Sequence, residues 1–256
     1  MEMPASYITT SWDDGHPLDF RIAELLSEYR LQGTFYVPME TGNVTMAPAQ
    51  VRQLSDAFEV GAHTLHHVDL IRTGACEAQR EIADSKSWVE EVTGRPCRMF
   101  CPPKGRYAPR DLRMIRDAGY SGVRTVELLS VDFPRPTVGL WLMPTTLQAH
   151  PHGLAGYARN IAQRAAFSNL WLYILHGRSV DWVELARSLL SEALKRGGVF
   201  HLWGHSWELQ EEGQWRRLED VLEFASGFTS QMPALTNSQV CLETGRGPGP
   251  PRHPSQ

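Results

Sequence analysis

The feature that most constrains this chain is an alternation. Short apolar runs take turns with longer stretches whose apolar residues recur at helical spacing. "SYITTSW", "GTFYVP", "FEVGAH", "RMFCPP", "YSGVRTV", "LWLYILH" and "VFHLWG" read as strands. Between them, "PLDFRIAELLSEYRL", "PAQVRQLSDA", "CEAQREIADSKSWVEEVTG", "APRDLRMIRDAG", "LAGYARNIAQRAAF", "DWVELARSLLSEALKRGG" and "QWRRLEDVLEFASG" read as helices. In the first of these helices Ile22, Leu25, Leu26 and Tyr29 share one face, and the third ends at Gly94. "VDFPRPTVGLWLMPTTLQAHPHG" mixes prolines with apolar residues and reads as an elaborated loop or hairpin. Strands alternating with helices predict an α/β fold with a parallel sheet or barrel, and 256 residues suffice for a sizeable core. In such folds the functional residues sit at the C-terminal ends of strands, which gives every motif a positional test. From Thr244 the sequence "TGRGPGPPRHPSQ" is too poor in apolar residues to pack, so residues 1–243 are expected to fold and residues 244–256 to be a disordered tail.

Composition excludes several classes. A net charge of −4 gives no electrostatic case for nucleic acid or an anionic membrane. No window approaches the roughly 20 apolar residues of a membrane span. Cys76, Cys97, Cys101 and Cys241 form no CxxC pair, so reduced thiols are expected and a cysteine-held zinc is not. Taking residue 1 as the native start, the first 25 residues carry Asp13, Asp14, Asp19, Arg21 and Glu24 and lack the apolar core of an export signal, so the expected location is the cytoplasm.

Four strand ends carry chemistry. In "SWDDG", Asp13 and Asp14 are adjacent, and Gly15 permits a turn where strand alternation relaxes and both carboxylates can enter one cleft. Two bare carboxylates there repel unless a cation separates their roles, so one is expected on a metal and the other free as a base. In "GAHTLHH", His63 and His67 are four apart and can face one point, with His66 a rival by proximity. Two imidazoles and a carboxylate suit a divalent metal and leave a position for water. In "FCPPKGRY", Pro102 and Pro103 stiffen a turn, Gly105 lets backbone approach a ligand, and an exposed N–H can donate to an oxyanion. In "VFHLWGHSWE", His201 reads as a core residue, whereas His205 just past the strand can reach a cleft. Asp181 before "WVELA" is either a helix cap or a carboxylate that tunes a histidine.

These motifs, in this order over residues 7–225, resemble the polysaccharide deacetylase family, the NodB-homology domain of carbohydrate esterase family 4. The resemblance implies a single-domain, distorted (β/α)7-type barrel. It implies Asp13 as catalytic base, Asp14, His63 and His67 as ligands of a divalent metal (zinc, with cobalt or nickel as alternatives), and His205 as general acid with Asp181 as a further catalytic carboxylate. "YILH" at His176 is a competing match to the last motif. The family's base-holding arginine is replaced by Cys101, and Lys104, Arg106 and Arg124 are the candidates to supply it. Pro103, Lys104, Gly105, Tyr107 and Trp207 are the expected substrate contacts, with the Lys104 ammonium favouring an anionic substrate. The implied activity is removal of an N-acyl group from an amino sugar or glycan precursor by a metal-activated water. The other readings are an allantoinase-like amidohydrolase acting on cyclic amides or imides, and a non-catalytic carbohydrate-binding domain.

Overall fold

The structure is a computed structural model that describes residues 5–152, 160 and 181–246. The helix expected over 154–167, apart from residue 160, the strand expected over 170–176 with His176, and the tail beyond residue 246 lie outside the described residues. Elsewhere the alternation folds as expected. The strands are β1 (Ser6–Asp13), β2 (Gly33–Val37), β3 (Glu59–Ala62), β4 (Met99–Phe100), β5 (Gly122–Arg124), β6 (Arg135–Thr137), β7 (Leu140–Met143), β8 (Leu147–Gln148) and β9 (Gly198–Gly204). They form one α/β sheet in the order β6-β7-β5-β4-β3-β2-β1-β9-β8. All neighbours pair parallel except β6 and β7, the hairpin foreseen in the proline-rich stretch. Its turn is made by Val138 (φ 37°) and Gly139 (φ 85°), the left-handed pair that matches strand twist.

Parallel strands are covered on both faces and therefore bury every position. All of β2 and all of β9 are buried. The first helices are α1 (Asp19–Glu28), α2 (Pro48–Ser55), α3 (Ala75–Thr93) and α4 (Pro109–Asp117). Pro48 and Pro109 open α2 and α4, where the missing N–H is not needed, and Gly94 closes α3 in the left-handed conformation with φ 68°. Helices α5 (Trp182–Arg196), α6 (Ser206–Glu211), α7 (Trp215–Ser226) and α8 (Asn237–Arg246) follow.

Two of these helices were not expected. Helix α6 has six residues and buries only Ser206 and Leu209, too few for a periodic pattern. Helix α8 buries Val240 and Cys241 in a small cluster with Tyr36 and Met99 and is tied down by polar contacts as well. Asn237 accepts from the Tyr36 hydroxyl at 2.8 Å and donates to Thr9 Oγ1 at 2.8 Å. It runs through Thr244–Arg246, past the boundary expected at residue 243.

Candidate active site and metal centre

Asp13 is the last residue of β1, and Asp14 immediately after it takes φ 76°. That left-handed step answers how neighbouring carboxylates reach one cleft. Gly15 follows at φ 61°, where an added Cβ would lie 2.6 Å from Val37 Cγ1. Both aspartates line a cavity of about 460 Å³ with His63, His67, Lys104, Gly105, Gln148, Trp203, His205 and Trp207. Asp14, Thr64, His67 and Lys104 are four of the seven non-glycine residues with positive φ among the described residues. Such conformations cost on the order of 1–3 kcal/mol each and persist where the surroundings fix them.

Asp14, His63 and His67 present one ligand atom each, all within 4.8 Å of one another. Asp14 Oδ1 lies 3.5 Å from His63 Nε2 and 3.2 Å from His67 Nε2. It is buried without a well-formed hydrogen bond among the described residues. Two imidazoles aimed at an orphaned carboxylate oxygen fit a divalent cation. His63 Nδ1 is 2.7 Å from the Cys101 carbonyl, an outer contact of the kind that fixes the tautomer of a ligating imidazole. His66, the rival, is not part of the set. It turns to Glu81 of α3, whose carboxylate also accepts from the N–H groups of Leu65 (3.0 Å) and His66 (2.9 Å). Glu81 thus ties down the loop that carries the two ligands.

A second trio, Asp13, His63 and Cys101, is equally compact but is not suited to a cation. Arg124 of β5 occupies both Asp13 oxygens, and burial pushes the Cys101 thiol well above its ordinary range. Of the three cations considered for the missing arginine, the structure brings Arg124 to the base. Its side chain is fully buried and stacks over Tyr36 and Trp203. Arg106 pairs with Asp69 instead, at 2.9 Å. Burial would raise the Asp13 carboxyl, but the charges of Arg124, His63 and His205 outweigh it and hold it below the usual carboxylate value.

His205 follows β9, with Nε2 3.9 Å from Asp14 Oδ2. Its Nδ1 donates to Glu208 at 2.7 Å, and the same Glu208 oxygen accepts from Gln148 at 3.0 Å. Burial alone would lower His205. The hydrogen bond to Glu208 and the negative charges of Asp13, Glu208 and Asp14 reverse that and raise it to about 9. Ser206 beside it donates to the buried Asp19 at 2.5 Å and fixes the start of α6 against α1.

Asp181, expected to be catalytic, is placed elsewhere. It caps α5, accepting from the Val183 N–H at 2.8 Å, and it pairs with Arg217 of α7. It does not line the cavity, and Glu208 holds the imidazole. His201 is a buried core residue as expected, 2.9 Å from Ser11 Oγ and 3.0 Å from the Pro144 carbonyl.

The expected substrate contacts divide. Lys104, Gly105 and Trp207 line the cavity, whereas Pro103 is buried in the turn and Tyr107 packs against the core. Gly105 and Arg106 donate their N–H groups to Pro102 and Pro103. Lys104 between them has no hydrogen bond or ion pair among the described residues, at either its N–H or its ammonium. Gly105 serves packing as well as access, because a Cβ there would meet Val126 Cγ2 at 2.2 Å. Trp207 does more than offer a ring: its indole N–H donates to Asp14 Oδ2 at 3.0 Å.

Glu208, Gln148 and Glu81 were missed by sequence reasoning. Glu208 had a signal: it stands three residues after His205 in "HSWE", on the face of a helical turn that His205 opens. Arg124 had one too, as the lone charge in "YSGVRTV".

Comparison bears out the resemblance to the polysaccharide deacetylase family. The family model described as Polysaccharide deacetylase matches residues 1–123. Residues of the chain are 28% identical over 121 positions to the peptidoglycan-N-acetylmuramic acid deacetylase PdaA of Bacillus subtilis, covering 45% of each chain. They are 28% identical over 119 positions to a peptidoglycan-N-acetylglucosamine deacetylase of Bacillus cereus, covering 45% of this chain and 54% of that one. The alignments therefore span about half the length of these relatives. A crystal structure of a polysaccharide-deacetylase-type protein of Mycobacterium smegmatis superposes with a TM-score of 0.68 over all of both chains, at 14% identity, which establishes the shared fold.

Proposed function

We infer that this protein is a metal-dependent hydrolase that removes an N-acyl group, N-acetyl in the first instance, from an amino sugar or glycan precursor. The observation that carries this reading is the Asp14–His63–His67 cluster around one orphaned oxygen, with the Arg124-held Asp13 and the Glu208-held His205 in the same cavity. A divalent cation bound by those three ligands supplies Lewis-acid polarisation and brings the pKa of a coordinated water toward about 7. Arg124 keeps Asp13 ionised and ready to accept a proton from the attacking water. The N–H of Lys104, without a partner among the described residues, is available to a developing oxyanion, a contact of the kind that contributes several kcal/mol. Glu208 fixes His205 with Nε2 toward the cavity, where it gives its proton to the leaving amine. The free Lys104 ammonium suits a sugar that bears an acidic substituent.

The test is hydrolysis of N-acetylated chitobiose-type sugars, of their carboxylate-bearing analogues and of cyclic imides, before and after chelation and after readdition of zinc, cobalt or nickel. Activity should fall to background on chelation and return with metal. Asp13→Asn should keep metal and lose at least about a thousandfold in turnover, and Asp14→Ala should lose the metal itself. Full turnover by metal-free protein would exclude the scheme, and turnover of the imides alone would move it to the ring-opening class.

A further inference from the structure

The indole of Trp207 makes a contact that a sugar-stacking residue does not need. Its Nε1–H donates to Asp14 Oδ2 at 3.0 Å, on the opposite oxygen from the one facing His63 and His67. A carboxylate with one oxygen tied to a rigid ring cannot rotate freely about its terminal torsion, so the other oxygen stays aimed at the imidazoles. The ring is itself confined. It lies 5.3 Å from the His205 ring, centroid to centroid, and α6 is pinned at its first residue by the Ser206–Asp19 hydrogen bond. The tetrapeptide His205–Ser206–Trp207–Glu208 therefore ties three parts of the molecule together: Trp207 holds the Asp14 carboxylate, Glu208 holds His205, and Ser206 holds the start of α1.

We propose that Trp207 is a positioning residue of the metal centre, which orients Asp14 for coordination and links that ligand to the segment bearing His205. This rests on the metal reading above. Partners of ligating carboxylates tune metal affinity by about tenfold to a hundredfold. An indole donor is a neutral one, so it orients Asp14 without cancelling the charge that attracts the cation.

The experiment compares wild type with Trp207→Phe, which keeps an aromatic face and removes the donor. Zinc affinity is read by competition with a chromophoric chelator, and the visible spectrum of the cobalt-loaded protein reports ligand geometry. Trp207→Phe should bind zinc about tenfold or more weakly, with an altered cobalt spectrum. Equal zinc affinity and superimposable cobalt spectra would overturn the proposal and return Trp207 to the substrate contacts, above all if KM alone rose. Wild type that takes up no metal would instead bring down the metal reading itself. Should Trp207→Phe fail to fold, a crystal structure of the zinc-loaded wild type decides. Indole nitrogen within about 3.2 Å of the non-ligating Asp14 oxygen supports the proposal, and an indole turned away from Asp14 overturns it.

Discussion

The side of the cavity proposed to hold a metal and the side proposed to move protons are secured in different ways. His63 and His67 leave one short loop, aimed by left-handed backbone at Thr64 and His67 and by Glu81 beneath them. Their spacing as candidate ligands is written within one five-residue stretch. Asp13 and His205 stand at the strand ends the family pattern demands, but the groups that hold them come from different places. Arg124 reaches Asp13 from β5, where the family's motif would supply the arginine at the position of Cys101 on the far end of β4. Glu208 holds His205 from one turn along α6, where Asp181 was expected. The comparison teaches that chemistry fixes a point in space for a guanidinium or a carboxylate and leaves its chain position free. A metal loop has no such freedom, because its ligand spacing is its geometry.

The largest effect should come from Arg124. It and Asp13 form a buried charge pair, and removing one member of such a pair typically costs about 3–5 kcal/mol because the other charge is left without a partner. Arg124→Met is expected to melt well below wild type and to lose at least about a hundredfold in turnover while still binding zinc through the other side. Placing the guanidinium back on β4 in a Cys101→Arg, Arg124→Met double variant should recover part of both losses, since the Cys101 sulfur already lies 3.9 Å from Asp13. Unchanged turnover in Arg124→Met would break the claim that the base is held from β5.

Glu208 and Asp181 give the next contrast. Glu208→Gln keeps the side-chain volume but cannot accept from His205 and Gln148 through one anionic oxygen, so turnover is expected to fall about tenfold to a hundredfold. Asp181→Asn keeps a side chain that caps a helix equally well and loses the charge of a half-exposed ion pair with Arg217, worth at most about 1 kcal/mol. Its turnover should stay within twofold of wild type. Steady-state kinetics on the two variants side by side decides the matter, and the reverse ranking would restore Asp181 to the machinery.

What was legible in the sequence follows the same division. The alternating elements, the strand-end location, the adjacent Asp13–Asp14 pair and the His63–His67 spacing could be read because each is encoded within a few residues. His205 was legible as a histidine beside Gly204 at a strand end, and His201 as a core residue. The partners were less so. Whether Arg106 or Arg124 meets Asp13 depends on how β5 lies beside β4 and on which arginine is already engaged, as Arg106 is by Asp69. Helix α8 was invisible because its buried apolar residues, Val240 and Cys241, are too few to make a period, and the hydrogen bonds of Asn237 to Tyr36 and Thr9 leave no periodic mark. Trp207 was read as a ring for stacking, since nothing local reveals that its N–H meets a carboxylate at the end of the first strand.

The smallest effect is expected on the side that was easiest to read, and it tests whether that loop's shape is as self-contained as its spacing suggests. Glu81 accepts two backbone N–H groups and faces His66, all outside the ligand set. Both backbone N–H groups donate to the same Glu81 oxygen, so in Glu81→Gln the amide oxygen can still accept from both and only the charge of the acceptor is lost. Replacing a charged acceptor by a neutral one should cost about 1 kcal/mol, since hydrogen bonds to charged groups are the stronger ones. His66 is half-exposed and needs no compensation. The loop should therefore keep its left-handed turns and loosen slightly, with zinc affinity weakened about threefold to tenfold and turnover at saturating zinc near wild type. A drop in zinc affinity as large as that of Asp14→Ala would show that the loop depends on α3 for its shape and that the contiguous motif is not sufficient. No change at all would show that the backbone turns at Thr64 and His67 hold the ligands unaided.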